Sequence, residues 1–142
     1  MFFGTYRHLI DEKNRFRVPT KLKEGLGTNW VITKGANGCL FGFSKQTMEQ
    51  DIYPKLNGIS MFDAEAQKPL RILFSSAFET EEDKQGRILL PQELKAYAGI
   101  TKNIVTIGVG SRIEIWAAEA FDAYTKDTNF ATESAKLSEY GI

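Results

Sequence analysis

One unit of sequence occurs twice in this chain, and that repetition limits the possible fold more than any other feature. Lay Asp11-Glu12-Lys13-Asn14-Arg15-Phe16-Arg17-Val18-Pro19 over Asp83-Lys84-Gln85-Gly86-Arg87-Ile88-Leu89-Leu90-Pro91. A shift of 72 brings the Asp, the Arg and the Pro into register, and Leu22 and Lys23 then fall on Leu94 and Lys95. After a slip of one residue, Val31-Ile32-Thr33 falls on Ile104-Val105-Thr106, Gly35 on Gly108, Leu40 on Ile113 and Phe43 on Trp116. The two copies occupy residues 5–55 and 77–126, with an inter-repeat segment at 56–76 and a tail at 127–142. A unit of about fifty residues has too little core to stand alone, so the two must share one.

Each copy predicts the same local structure. A short strand enters the Asp-x-x-x-Arg segment, where Asn14 in one copy and Gly86 in the other occupy one turn position. Glycine takes positive φ freely and asparagine tolerates it best among the rest, so a left-handed residue there accounts for both. Phe16 and Val18, like Ile88 and Leu90, alternate as in a strand. Pro19 and Pro91 end these strands and suit the start of short helices running to about Gly25 and Gly99. Two β-hairpins follow, Trp30–Thr33 with Cys39–Phe43 and Ile104–Ile107 with Arg112–Trp116, each around a glycine turn. Helices at about Lys45–Leu56 and Ala118–Lys126 close the units. Between the copies, Met61–Leu70 reads as helix and Arg71–Phe74 as the strand entering copy two. The tail is acidic and weakly helical. The expected fold is α+β, a β-barrel core shared by two interdigitated copies about a pseudo-two-fold axis, with short flanking helices.

Composition serves mainly to exclude. With 42% hydrophobic and 25% charged residues, the chain is neither disordered nor fibrous, and its apolar runs are too short to span a bilayer. The amino terminus lacks the pattern of a secretory signal, and a lone Cys39 forms no internal disulfide. A soluble, cytoplasmic protein is expected. Net charge is zero, but residues 1–58 carry nine Lys/Arg against five Asp/Glu, and residues 59–142 nine against thirteen. Such a split suits either one basic face for an anionic polymer or head-to-tail contact between copies of the chain.

The repeated Asp-x-x-x-Arg segment followed by Pro resembles the swapped-hairpin barrel of the AbrB and SpoVT-type transcription regulators, a double-split β-barrel with one such copy per chain. Two copies in one chain resemble the MraZ family, bacterial regulators associated with the division and cell-wall gene cluster. The likeness extends from the Met-Phe-x-Gly start through Asp11–Pro19, Gly38–Phe41 and Asp83–Pro91 to Ile107–Trp116. Asn14 departs from the glycine the family pattern places there. The resemblance implies a sequence-specific DNA-binding regulator that acts on repeated short promoter sites, its own promoter included, forms ring-shaped homo-oligomers and sits on the nucleoid.

An Asp four residues before an Arg across a tight turn can orient the guanidinium through a bidentate pair, and an oriented Arg reads guanine in the major groove or contacts phosphate. Asp11 and Asp83 suit a structural role equally, capping the turn, and either arginine alone fits a structural ion pair. Residues 5–25 hold six Lys/Arg against three Asp/Glu, whereas residues 78–98 hold three against five. Copy one is therefore expected to face DNA, with Arg15 reading bases, Arg7, Lys13 and Arg17 on the backbone, and Asn14 also counted among the DNA-binding residues. Arg87, the corresponding residue of the more acidic copy, is a further DNA-binding candidate, although folding or subunit contact is the expectation for that copy as a whole. Asp11, Asp83, Gly86, Pro19 and Pro91 shape the turns. Phe2, Phe3 and Tyr140 are candidates for subunit contacts.

No enzyme is expected. His8 and Cys39 are the only imidazole and thiol, Cys39 sits in an apolar strand where an inert thiol is usual, and one of each makes no closed zinc site. The glycines at 108 and 110 lie between strands and lack the lysine of a phosphate loop. No cofactor is implied. The rival reading is a ring-forming protein–protein scaffold that does not bind DNA.

Overall fold

A computed structural model describes residues 1–142. Copy one folds as β1 (Thr5–Leu9), β2 (Arg15–Arg17), α1 (Thr20–Leu26), β3 (Val31–Lys34) and β4 (Leu40–Phe43). Its closing helix is α2 (Lys45–Thr47), a π-helical turn at Met48–Ile52 and α3 (Tyr53–Asn57); α4 (Ala64–Ser76) links the copies. Copy two repeats the order as β5 (Phe78–Glu79), β6 (Arg87–Leu89), α5 (Gln92–Tyr97), β7 (Asn103–Val109), β8 (Arg112–Ala117) and α6 (Ala118–Thr125). The tail forms α7 (Phe130–Glu133) and a 3₁₀ helix at Ser134–Tyr140. No helix is long and apolar enough to cross a membrane.

The strands make an antiparallel six-stranded sheet in the order β1-β7-β8-β4-β3-β5 and a two-stranded ribbon of β2 with β6. Each leading strand crosses to the other copy's hairpin: β1 pairs with β7, and β5 with β3. In the ribbon Phe16 stands opposite Ile88, and in the sheet Phe41 stands opposite Glu114. Each of these residues pairs with its own counterpart from the other copy, which places a pseudo-two-fold axis through both layers. Phe16, Val18, Ile88 and Leu90 point inward from the ribbon, and Leu22, Leu26, Leu94 and Ala98 from α1 and α5. They meet Ile32, Leu40, Ile104, Ile113 and Ile115 of the sheet in one cluster of 18 buried residues. The expected sharing of a core is therefore met.

Three expectations are corrected. No sheet closes into a hydrogen-bonded barrel: β2 and β6 bond to each other across the axis, so the outer edges of the large sheet, β1 and β5, stay open. Arg71–Phe74 is not a strand but the last half of α4. The half-buried Ala66, Gln67, Leu70 and Leu73 and the buried Ser76 recur at helical spacing, Asp63 caps the start, and Pro69 inside the helix does not end it. Phe2 is buried rather than free for a subunit contact, bridged to Gly110, while Phe3 and Tyr140 are exposed. Glycine makes that docking possible, since a Cβ at Gly108 would sit 2.2 Å from the Phe3 nitrogen and one at Gly25 would sit 2.7 Å from the Phe2 ring.

The uneven charge of the halves is largely answered inside the chain. Arg7–Asp122, Lys23–Glu82, Lys34–Glu93 and Lys45–Glu79, at 2.7–3.2 Å, each join a cation of copy one to a carboxylate of copy two. Pairs this exposed add little stability each, but they remove much of the charge on which a head-to-tail contact was expected to draw.

Candidate nucleic-acid interface

The two Asp-x-x-x-Arg turns fold alike because each aspartate binds the loop it begins. Asp11 Oδ1 accepts from the amides of Lys13 (2.9 Å) and Arg15 (2.8 Å), and Oδ2 accepts from Arg15 Nε at 2.8 Å. In copy two Asp83 Oδ1 accepts from the amides of Gln85 (2.8 Å) and Arg87 (2.9 Å), and Oδ2 from Arg87 Nε at 2.8 Å. The sharp reversal needs a left-handed residue, and Asn14 (φ 63°) and Gly86 (φ 75°) supply it as expected. Pro19 and Pro91 lie at the N-caps of α1 and α5.

The ion pair is not the bidentate one expected. One carboxylate oxygen is committed to backbone amides, so each guanidinium is held through Nε alone, and Nη1 and Nη2 of Arg15 and Arg87 are left without a partner in the chain. The arginine is thereby oriented but keeps its two-pronged end for something else, the arrangement that guanine O6 and N7 or a phosphate requires.

These bonds set the acid behaviour of the turns. The Arg87 amide is the main cause that draws the Asp83 carboxyl down to about 2 from the usual 3.8, with the Arg87 guanidinium and the Gln85 amide adding to it. At Asp11 desolvation pushes upward, but the bonds from Arg15 and Lys13 outweigh it and the pKa also falls. A carboxylate lowered on folding stabilises the folded chain above its unfolded pKa and loses that contribution as pH falls through the folded one. Both turns are thus expected to be intact at neutral pH, with copy two's weakening only between about pH 4 and 2. Carboxyl NMR titration should place the Asp83 midpoint near 2, and a midpoint near 3.8 would contradict these bonds.

Asn14 does more than bend the chain. Its side chain accepts from Lys95 Nζ at 2.7 Å and donates to Gln92 at 3.3 Å, which ties the copy-one turn to α5. Its amide is thus engaged within the protein, with one N–H and one lone pair still unused. Lys23, the counterpart of Lys95, lies over Gly86 with its Nζ 3.9 Å from where a Cβ would stand. Gly86→Asn should therefore unfold within about 0.5 kcal/mol of the parent, whereas Gly86→Val should cost about 1–2 kcal/mol for a β-branched residue at positive φ. Equal melting temperatures for the two would contradict this account of the turn. Lys23 and Lys95 were not among the expected site residues, although the repeat alignment marks them as a cation kept in both copies.

Between β1 and β2 lies an open groove of about 1150 Å³ whose lining includes Arg7, Arg15, Arg17, Arg87, Lys95 and Lys102. On the ribbon Phe16 and Ile88 face the core, so Arg15, Arg17, Arg87 and Leu89 face outward together. The copies thus do not present two separate heads. Arg15 and Arg87 lie diagonally on one face, about 7–8 Å apart by strand geometry. Arg17 donates its Nε to the Gln85 carbonyl at 3.1 Å, reaching into the other copy's turn, and Lys13 stands exposed at the tip. Arg7 lines the same groove, yet its terminal nitrogens bond Asp122 at 2.7 and 3.4 Å, so that pair must open before Arg7 meets a phosphate. His8 lies in the wall, bonded to Thr106 at 2.7 Å; burial lowers its pKa below 6.5 against the opposing Arg17 backbone, leaving it neutral at pH 7. Cys39 is buried, with burial and then Glu114 raising its thiol to about 12, as suits an inert residue.

The sequence matches the family described as "MraZ protein, putative antitoxin-like" twice, at residues 1–72 and 73–139. Among curated proteins it is 45% identical over 143 residues to "Transcriptional regulator MraZ" of Clostridium beijerinckii, covering all of both chains. The protein of that name from Acetivibrio thermocellus is 40% identical over 144 residues, again with both chains covered in full. Its namesake from Symbiobacterium thermophilum is 46% identical over 124 residues, 87% of this chain and 89% of the relative. Full-length identity of this order, together with two family matches that divide the chain between the repeats, shows that it belongs to the MraZ family of transcriptional regulators, which are not enzymes.

Proposed function

We propose that this regulator binds double-stranded promoter DNA through the outer face of the β2–β6 ribbon, reading bases with Arg15 and Arg87. The observation that carries the reading is the pair of matched turns, each orienting a guanidinium through Nε while leaving its two terminal nitrogens free. A two-stranded ribbon fits the major groove, and each arginine there suits one guanine. Lys13 and Arg17 take phosphates, and Arg7 joins them once released from Asp122. Asn14 acts on DNA indirectly, by fixing the turn that carries Arg15. Several subunits in a ring, each on one of a row of short repeated sites, would gain affinity through effective concentration. Promoters of the division and cell-wall cluster, the chain's own among them, are the targets this reading favours, with the protein on the nucleoid in the cytoplasm.

Salt dependence tests the phosphate contacts. Lys13→Ala and Arg17→Ala should each weaken binding across all sequences and lower the slope of log K against log salt by about 1. An unchanged slope in both would remove these residues from the interface. The scaffold reading is favoured only if the folded chain fails to shift promoter DNA at low salt.

A further inference from the structure

The pseudo-two-fold axis through Phe16 and Ile88 sorts the outward residues of the ribbon into counterparts, and one pair of counterparts is unlike. Arg15 and Arg87 match in identity and in the bonds that each makes to its aspartate. Arg17 and Leu89 do not match. Ladder pairing sets Leu89 directly opposite Arg15 and Arg17 directly opposite Arg87. One end of the face is therefore two facing guanidiniums, and the other is a guanidinium beside an aliphatic side chain.

The two ends have different chemical requirements. Arg87 is paired with Asp83, whereas Arg17 has no carboxylate partner in the chain, so Arg17 is the cation left to take an anion at that end, which the DNA backbone supplies. Leu89 is 56% exposed and belongs to neither buried cluster, although it stands beside Arg15 at one end of a cationic face. In the major groove the one apolar feature a base offers is the 5-methyl group of thymine.

We propose that Leu89 packs against the 5-methyl of a thymine adjoining the guanine taken by Arg15, while Arg17 at the opposite end takes a phosphate. This rests on the reading of the ribbon as the DNA-binding face. Its consequence is direction. A face with true two-fold symmetry would accept a site in either orientation, whereas the Leu89–Arg17 difference makes the subunit lie on DNA one way only.

The test uses the DNA upstream of the chain's own coding sequence, with each thymine in turn replaced by deoxyuridine, which removes only the methyl group. The parent protein should bind one such duplex about fourfold more weakly than the thymine duplex. Leu89→Ala, checked for an unchanged melting temperature, should bind the two equally. If the parent is indifferent to every replacement, or if Leu89→Ala keeps the parent's sensitivity, the inference is overturned while Arg15-dependent binding stands. If the parent fails to bind, or binds without regard to Arg15→Ala and Arg87→Ala, the DNA-face reading itself falls and this inference with it.

Discussion

Phe16→Ala is expected to lower the unfolding free energy by about 3–5 kcal/mol, in a single transition that takes both copies apart together. Phe16 is 3% exposed and stands on the axis opposite Ile88, which is fully buried. A cavity there opens between the ribbon, both ribbon-side helices and the sheet, with few neighbours free to collapse into it. A loss of that size is a large share of the roughly 5–15 kcal/mol that holds a domain together. Both tryptophans are buried. Denaturant curves of Phe16→Ala followed by tryptophan fluorescence and by far-ultraviolet circular dichroism should coincide. Two separate transitions, with copy two outlasting copy one, would mean that the copies hold separate cores.

The second large effect falls on DNA binding. Arg15→Ala and Arg87→Ala should each cost about 1–3 kcal/mol of specific affinity, and the double variant about 10²–10⁴-fold in Kd per subunit. Folding should change less than binding, since both ion pairs are only partly buried and each aspartate keeps its bonds to the backbone amides of its turn. Lysine should not rescue either position: it lacks the planar fork that pairs with O6 and N7, and it cannot reproduce the Nε bond to the aspartate. Gel-shift titration at two salt concentrations, on promoter and on unrelated DNA, separates lost specificity from lost charge. Equal weakening on both DNAs would make the arginines phosphate contacts only.

Much of this architecture was legible in the residues. Alternation of Phe16 and Val18, and of Ile88 and Leu90, predicted the ribbon strands, and the equivalence of Asn14 and Gly86 predicted the left-handed turn that both adopt. Arg71–Phe74 misled because four residues, three of them apolar, read as a strand; only together with Ala66, Gln67 and Ser76 does the helical period of α4 emerge. Pairing partners were not legible, because a repeat says that two units are alike and not which strand of one bonds to which strand of the other. For the same reason the residues show charge only copy by copy. Lys23, Lys34 and Lys45 answer carboxylates of copy two across the fold, and Arg87 shares a face with Arg15. The greater acidity of copy two therefore does not put its arginine on a different face from Arg15.

Protection of guanine N7 from methylation tests directly whether one ribbon face built from both copies reads DNA. Each bound subunit should protect two guanines, with Arg15→Ala exposing one and Arg87→Ala the other. Loss of both protections in Arg15→Ala alone, with Arg87→Ala indistinguishable from the parent, would contradict the shared face and return DNA reading to copy one.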